Sequence, residues 1–137
     1  MLIDTNILVY AINSDSSKHK TAKEFLKEFQ TDLEVAHQNI LESLRVLTHP
    51  KFAQVMSVSN AMDAVLSITS PCRLISPNYQ TVYIVLELIK KYHLKSDIVF
   101  DAYLAATALS NGVDTIATDN VKDFKKFKEI KIFNPFI

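Results

Sequence analysis

The 137 residues predict a single three-layer α/β/α domain built around a parallel sheet. Two observations carry that expectation. Short apolar runs of strand length alternate along the chain with longer runs of helical period, the pattern of a parallel sheet covered on both faces. The length suits one domain, 1–137, and no linker, repeat or low-complexity stretch divides it.

The elements follow in order. Residues 1–3 read as a strand, and Asp4-Thr5-Asn6 turns it into a helical run over 7–12 that the polar cluster 13–17 ends. Over 18–30, Ala22, Phe25, Leu26 and Phe29 recur at i, i+3, i+4 and i+7, an amphipathic helix with its lysines outside. A strand over 34–37 precedes a helix over 38–48, which His49-Pro50 terminates. A helix over 58–68, entered through Ser57, leads past Ser70-Pro71 to a strand over 73–75. Ser76-Pro77 offers a cap and a first-turn proline for a helix over 77–92. The next helix, 97–110, stops at Asn111-Gly112, and strands follow over 115–117 and 130–133.

Composition narrows the function. Fifteen basic and fifteen acidic side chains give no net charge, and 48% hydrophobic with 22% charged residues excludes disorder as the dominant state. The single cysteine, Cys72, forms no intramolecular disulfide and suits a reducing cytoplasm. The single glycine, Gly112, excludes a phosphate-cradling P-loop, a GxGxxG dinucleotide fingerprint and a GxSxG elbow. No apolar run approaches the roughly 18 residues of a membrane span, and Met1-Leu2-Ile3-Asp4 lacks a signal peptide's basic segment. A cytoplasmic protein is expected.

In open α/β sheets ligands gather beyond the carboxyl ends of the strands, and here acids stand there. Asp4 follows the first strand and Asp119 the fourth, while Asp97 and Asp101 open a late helix. Asp101 is the strongest signal, because its neighbours are apolar nearly all round and a buried, unpaired carboxylate costs several kcal/mol. Helical spacing puts Asp97, Asp101, Ala105 and Ala108 on one face. Structural roles stand beside the functional ones: Asp4 and Asp97 suit N-caps, and Asp119-Asn120 suits a turn. In the helix over 38–48, Ile40, Leu41, Leu44 and Leu47 form the apolar side, leaving Gln38, Glu42, Arg45 and His49 opposite, with Glu42 and Arg45 as a solvated pair or a site. Oxygen donors without histidine or cysteine at metal spacing favour Mg²⁺ or Mn²⁺, and four gathered acids repel one another unless a cation joins them. The chemistry natural to such a site is phosphodiester hydrolysis by metal-activated water.

These blocks resemble the PIN-domain ribonucleases, and among them the VapC-type toxins of toxin–antitoxin pairs. The likeness rests on Leu2-Ile3-Asp4-Thr5-Asn6, on residues 41–50 around Glu42 and Arg45, on Phe100-Asp101-Ala102-Tyr103-Leu104-Ala105-Ala106, and on Ala117-Thr118-Asp119-Asn120 with Asp123-Phe124. The resemblance implies a PIN-like fold, a Mg²⁺- or Mn²⁺-dependent endoribonuclease, and an acidic quartet of Asp4, Glu42, Asp101 and Asp119 that holds the metal. Thr5, Asn6, Arg45, Asp97, Thr118 and Asn120 stand as supporting residues. It also implies a homodimer, an RNA substrate and a cognate antitoxin whose tail fills the active-site groove. One departure is plain: many relatives carry the last acid two residues after the threonine, where Asn120 stands here, so Asn120 and Asp123 compete with Asp119 for the fourth place. Five lysines against Asp123 and Glu129 over 122–131 offer either a solvated surface or a contact for RNA. A non-catalytic binding module and a solitary RNA-processing nuclease remain alternative readings. A phosphoacceptor domain fits poorly, for want of an acidic pair after the first strand and a lysine after the last core strand.

Overall fold

The computed structural model describes all of residues 1–137. Along the chain run β1 (Leu2–Ile3), α1 (Thr5–Ile12), α2 (His19–Glu28), β2 (Glu34–Ala36), α3 (His37–Leu47), α4 (Val58–Thr69), β3 (Arg73–Ile75), α5 (Thr81–Tyr92), α6 (Ile98–Ser110), β4 (Thr115–Ala117), α7 (Val121–Phe124) and β5 (Lys131–Phe133). The five strands form one all-parallel sheet in the order β3-β2-β1-β4-β5. The three-layer α/β/α expectation holds. β1 lies at the centre, with Leu2 beside Ile116 and Ile3 beside Ala117 of β4.

Strand alternation sorts the core into two faces. Leu2, Ala36 and Ile116 pack against α5, α6 and Phe124, whereas Ile3, Val35 and Ala117 pack against Ile7, Leu8 and Ala11 of α1 and Phe25 and Leu26 of α2. α3 and α4 extend the second face through a smaller cluster of Val9, Leu47, Ala61 and Val65. The small residues of α6, Ala102, Ala105, Ala106 and Ala108, are wholly buried, which lets this helix lie close to the sheet.

The structure differs from the predicted elements at four places, two of them, the starts of α1 and α5, for local reasons. α1 begins at Thr5 rather than at residue 7, because the Asp4 carboxylate accepts the Thr5 N–H and caps the helix. α5 begins at Thr81, not Pro77: the Asn78 side chain accepts the Gln80 N–H and the Thr81 hydroxyl accepts the Asn78 N–H, which folds 78–80 into a turn. In α3 the buried stripe is Asn39, Ser43 and Leu47, while Leu41, expected inside, is 67% exposed. The short α7 was not expected. At the end of α6, Gly112 takes the predicted left-handed conformation, φ 75°, and the Val113 N–H returns to the Ala108 carbonyl.

Ile116, fully buried on a central strand, is the natural probe of this packing. Ile116→Ala is expected to lower unfolding free energy by about 2–5 kcal/mol in equilibrium urea denaturation. A loss below about 1 kcal/mol would mean that the two faces do not meet the sheet as described.

Candidate metal centre

The order of strands places the site. From β1 the chain winds outward to β2 and β3, then returns to the other side of β1 with β4, so adjacent carboxyl ends at β1 and β4 flank the point where the winding reverses. Asp4 leaves the first of these ends and Thr118 the second, joined by the Asp4 N–H to the Ala117 carbonyl at 2.9 Å.

Asp4 is buried and fully engaged by neutral donors. One carboxylate oxygen accepts the Thr5 N–H at 2.8 Å; the other accepts the Thr118 hydroxyl at 2.7 Å and the Asn6 amide at 3.0 Å. Asn6 also accepts the Asp119 N–H, and the Asn120 N–H donates to the Thr118 hydroxyl oxygen at 2.9 Å, so the loop after β4 is tied to the start of α1. α3 packs on α1, which brings Glu42 to the Thr5 hydroxyl at 3.0 Å, with Gln38 one turn earlier donating to its second oxygen at 3.0 Å. Buried Asn39 supports both helices, accepting the Ala36 N–H at 3.0 Å and donating to the Thr5 hydroxyl oxygen at 3.4 Å. Asp101 sits in the first turn of α6.

Together Asp4, Glu42, Asp101 and Asp123 line one open pocket of about 290 Å³, with Thr5, Asn6 and Asn120 among its other walls. Its electrostatics are unbalanced. Burial pushes the Asp101 carboxyl up to about 6; the charge of Asp123 adds to this, Lys126 opposes it, and Asp4 and Glu42 push further. Asp4 is also raised, by burial first, against the pull of its Thr118 and Thr5 hydrogen bonds and with the charges of Glu42 and Asp123. Neutral donors orient these carboxylates without cancelling their charge, which is the condition a divalent cation relieves. The donors are all oxygen, and no three acids converge closely enough to chelate one ion directly. That arrangement fits Mg²⁺ or Mn²⁺, of which Mg²⁺ keeps several waters and takes one or two carboxylates.

Three expected residues stand elsewhere. Asp119 is turned out of the pocket: it forms an ion pair with Lys18 and accepts the Tyr10 hydroxyl at 3.0 Å, and the Lys18 bond holds its carboxyl below the usual range. The acid one turn later, Asp123 in α7, lines the pocket instead. Asp97 is exposed at the tip of α6 and makes no side-chain cap. Arg45 does not pair with Glu42, which is occupied by Thr5 and Gln38; it lines a neighbouring depression with His49 and Lys51, separated from the acids by Val46. Helical spacing puts Gln38 on the face of Glu42, where it is found, but sequence reasoning gave it no role and missed Asn39, whose only signal is a polar stripe, 39 and 43, running into Leu47. It missed Tyr10 and Lys18 as well, and no local pattern announces a partner 101 residues away.

The raised Asp101 carboxyl has a consequence for stability. A group whose pKa is higher folded than unfolded binds its proton more tightly in the fold, so its ionisation removes stability as pH rises from about 3.8 through about 6. In chelator-treated buffer Asp101→Asn is expected to match the parent near pH 4 and to exceed it in thermal stability at pH 7. A gap that stays constant across that range would contradict the charge imbalance.

A model of the PIN domain family matches residues 1–130. Ribonuclease VapC24 of Mycobacterium tuberculosis is 29% identical over 137 residues, covering 97% of this chain and 94% of its own. Among solved structures, VapBC2 of Rickettsia felis bound to a promoter DNA fragment superposes with a TM-score of 0.74 at 19% identity, over 97% of this chain and 96% of that one. A toxin–antitoxin complex from Klebsiella pneumoniae gives a TM-score of 0.68 at 22% identity, over 98% and 97%. At such identities the structural likeness establishes the fold.

Proposed function

The chain belongs to the PIN domain family, and on that footing we propose that it is a Mg²⁺- or Mn²⁺-dependent endoribonuclease acting as the toxin of a toxin–antitoxin pair. Divalent-metal dependence is the general property of that family. The observation that carries the reading is the pocket at the β1 and β4 ends, which four carboxylates line with no lysine or arginine paired to any of them. Asp4, Glu42, Asp101 and Asp123 are the residues that would hold the metal.

A divalent ion bound there supplies a Lewis acid that lowers the pKa of water and offsets charge building on a phosphodiester. The protein's own part is orientation and exclusion of wrong geometry. Thr118 and Asn6 fix the outer oxygen of Asp4, and Thr5 with Gln38 fixes both oxygens of Glu42, so neither carboxylate needs to reorganise on binding. The Thr118 to Asn6 network also fixes the loop that presents Asn120 and leads into Asp123. Positive charge flanks the pocket, Lys126 near Asp101 and Arg45 with Lys51 beyond Val46, and these suit a polyanion passing across it.

Relatives crystallised as toxin–antitoxin complexes support a cognate antitoxin as protein partner. The homodimer implied by family likeness has a surface to use in α5 and the turn before it, where Tyr79 of the turn and Val82, Tyr83 and Leu86 of the helix are each more than half exposed. No helix is long and apolar enough to cross a membrane, and the cytoplasm is the compartment in which such a toxin meets RNA.

Cleavage of a structured RNA with Mg²⁺ or Mn²⁺, abolished by chelation, tests the activity. Asp4→Asn, Asp101→Asn and Asp123→Asn are each expected to reduce the rate by more than about 100-fold, beyond the 10- to 100-fold typical of losing an outer-shell partner. Asp119→Asn is expected to cost less than those three. Equal loss at Asp119 with full activity in Asp123→Asn would reverse the assignment of the fourth acid, and metal-independent or absent cleavage would defeat the reading.

A further inference from the structure

Beside the acidic pocket lies a second, larger hollow of about 440 Å³, within the size range of small-molecule sites. α3 and α6 form it, with Leu41 and Gln38 on one wall and Phe100 and Tyr103 on the other. Glu42 belongs to both hollows, and Phe100 directly precedes Asp101, so the two are one continuous surface. The lining is mostly apolar and holds no lysine or arginine. Phe100 is 61% exposed and Leu41 67%, an unusual state for large apolar side chains that face one another across a hollow.

A polar feature accompanies this apolar wall. The Gln38 amide nitrogen donates to Glu42 at 3.0 Å and to the Phe100 carbonyl at 3.2 Å. Both partners are acceptors, which fixes the orientation of the amide and leaves its oxygen buried with no donor. An acceptor left over beside an exposed aromatic ring matches one chemistry closely: a planar heterocycle that stacks on the ring and offers an N–H at its edge.

We propose that this hollow receives an unstacked nucleobase of single-stranded RNA, next to the phosphodiester held at the carboxylates, with Phe100 as the stacking ring and Gln38 as the acceptor. The proposal rests on the endoribonuclease reading and adds the substrate class and its mode of binding. Continuity through Glu42 and Asp101 places the hollow where a flanking nucleotide must go, and a lining with no lysine or arginine, whose one imidazole is His37 and which carries the Glu42 carboxylate, favours a base over a backbone phosphate. The basic group around Arg45 lies at the other end of α3, so a strand crossing the acids has a base at one end and phosphates at the other.

The test uses single-stranded oligoribonucleotides carrying 2-aminopurine or an abasic site at successive positions, titrated in Mg²⁺ onto the Asp101→Asn protein with Phe100 intact, as Phe100→Ala or as Phe100→Trp. One position is expected to show quenched fluorescence, lost in Phe100→Ala and restored in Phe100→Trp. Phe100→Ala is expected to weaken binding roughly 5- to 100-fold, the range of base stacking on an aromatic side chain. An abasic site at that position is expected to cost the same factor and to make Phe100→Ala silent. Unchanged RNA binding by Phe100→Ala overturns the proposal; if that variant also escapes inhibition by a cognate antitoxin, the hollow is a protein groove instead. Parent protein that cuts RNA, with Phe100→Ala binding normally, defeats this inference alone, whereas a parent that neither binds nor cuts RNA defeats the ribonuclease reading too. Circular dichroism of the variants, altered at an exposed position, separates binding from folding.

Discussion

A carboxylate buried at the end of the central strand is the constraint around which the molecule is arranged. Asp4 could be stabilised by a lysine or arginine, and the fold would then be self-sufficient at that point. Instead its oxygens receive only neutral donors, the Thr5 N–H, the Asn6 amide and the Thr118 hydroxyl. Those bonds do three things at once: they start α1, join the ends of β1 and β4, and keep the negative charge available. Cap and site ligand were competing interpretations of this residue, and the structure shows them to be compatible, because one oxygen serves the helix while the other faces Thr118 and Asn6.

Packing brings the remaining acids to that point. α3 lies on α1 and delivers Glu42 to Thr5; α6, lined with alanines, lies close enough to the sheet to bring Asp101 within range of the same charges. Small side chains are therefore part of the electrostatics. A bulkier α6 would stand farther from the sheet, relax the repulsion and lose the site.

Fold class was legible because strand and helix periods differ and both faces of the sheet are buried, so Leu2-Ile3 and Ile116-Ala117 read as buried strands. Asp101 was legible for a related reason, a charge amid apolar neighbours. What escaped was whatever depends on contacts distant in sequence. The fate of Asp119 is decided by Lys18, far away on another element, and the burial of Asn39 and Ser43 by how α3 rolls onto α1. The start of α5 was lost to a local competitor, an Asn78 side chain that makes a turn where Ser76-Pro77 invites a helix. Family likeness supplied an ordered set of blocks, yet within the last block it left three candidates open, and only the structure puts Asp123 on the pocket wall and Asp119 on Lys18.

The pairing of Asp119 with Lys18 has a wider meaning. Lys18 also lies over the rings of Tyr10 and Phe136, at 5.3 and 5.2 Å from their centroids, so the ion pair is supported by two aromatic contacts as well. Four residues further along, in α7, Asp123 stands on the pocket wall with no ion-pair partner. One turn of chain thus separates an acid whose charge is satisfied from an acid whose charge is held in reserve. The first ties down the chain from which the second reaches the pocket wall, so a charge spent on an ion pair sets where an unpaired one can point.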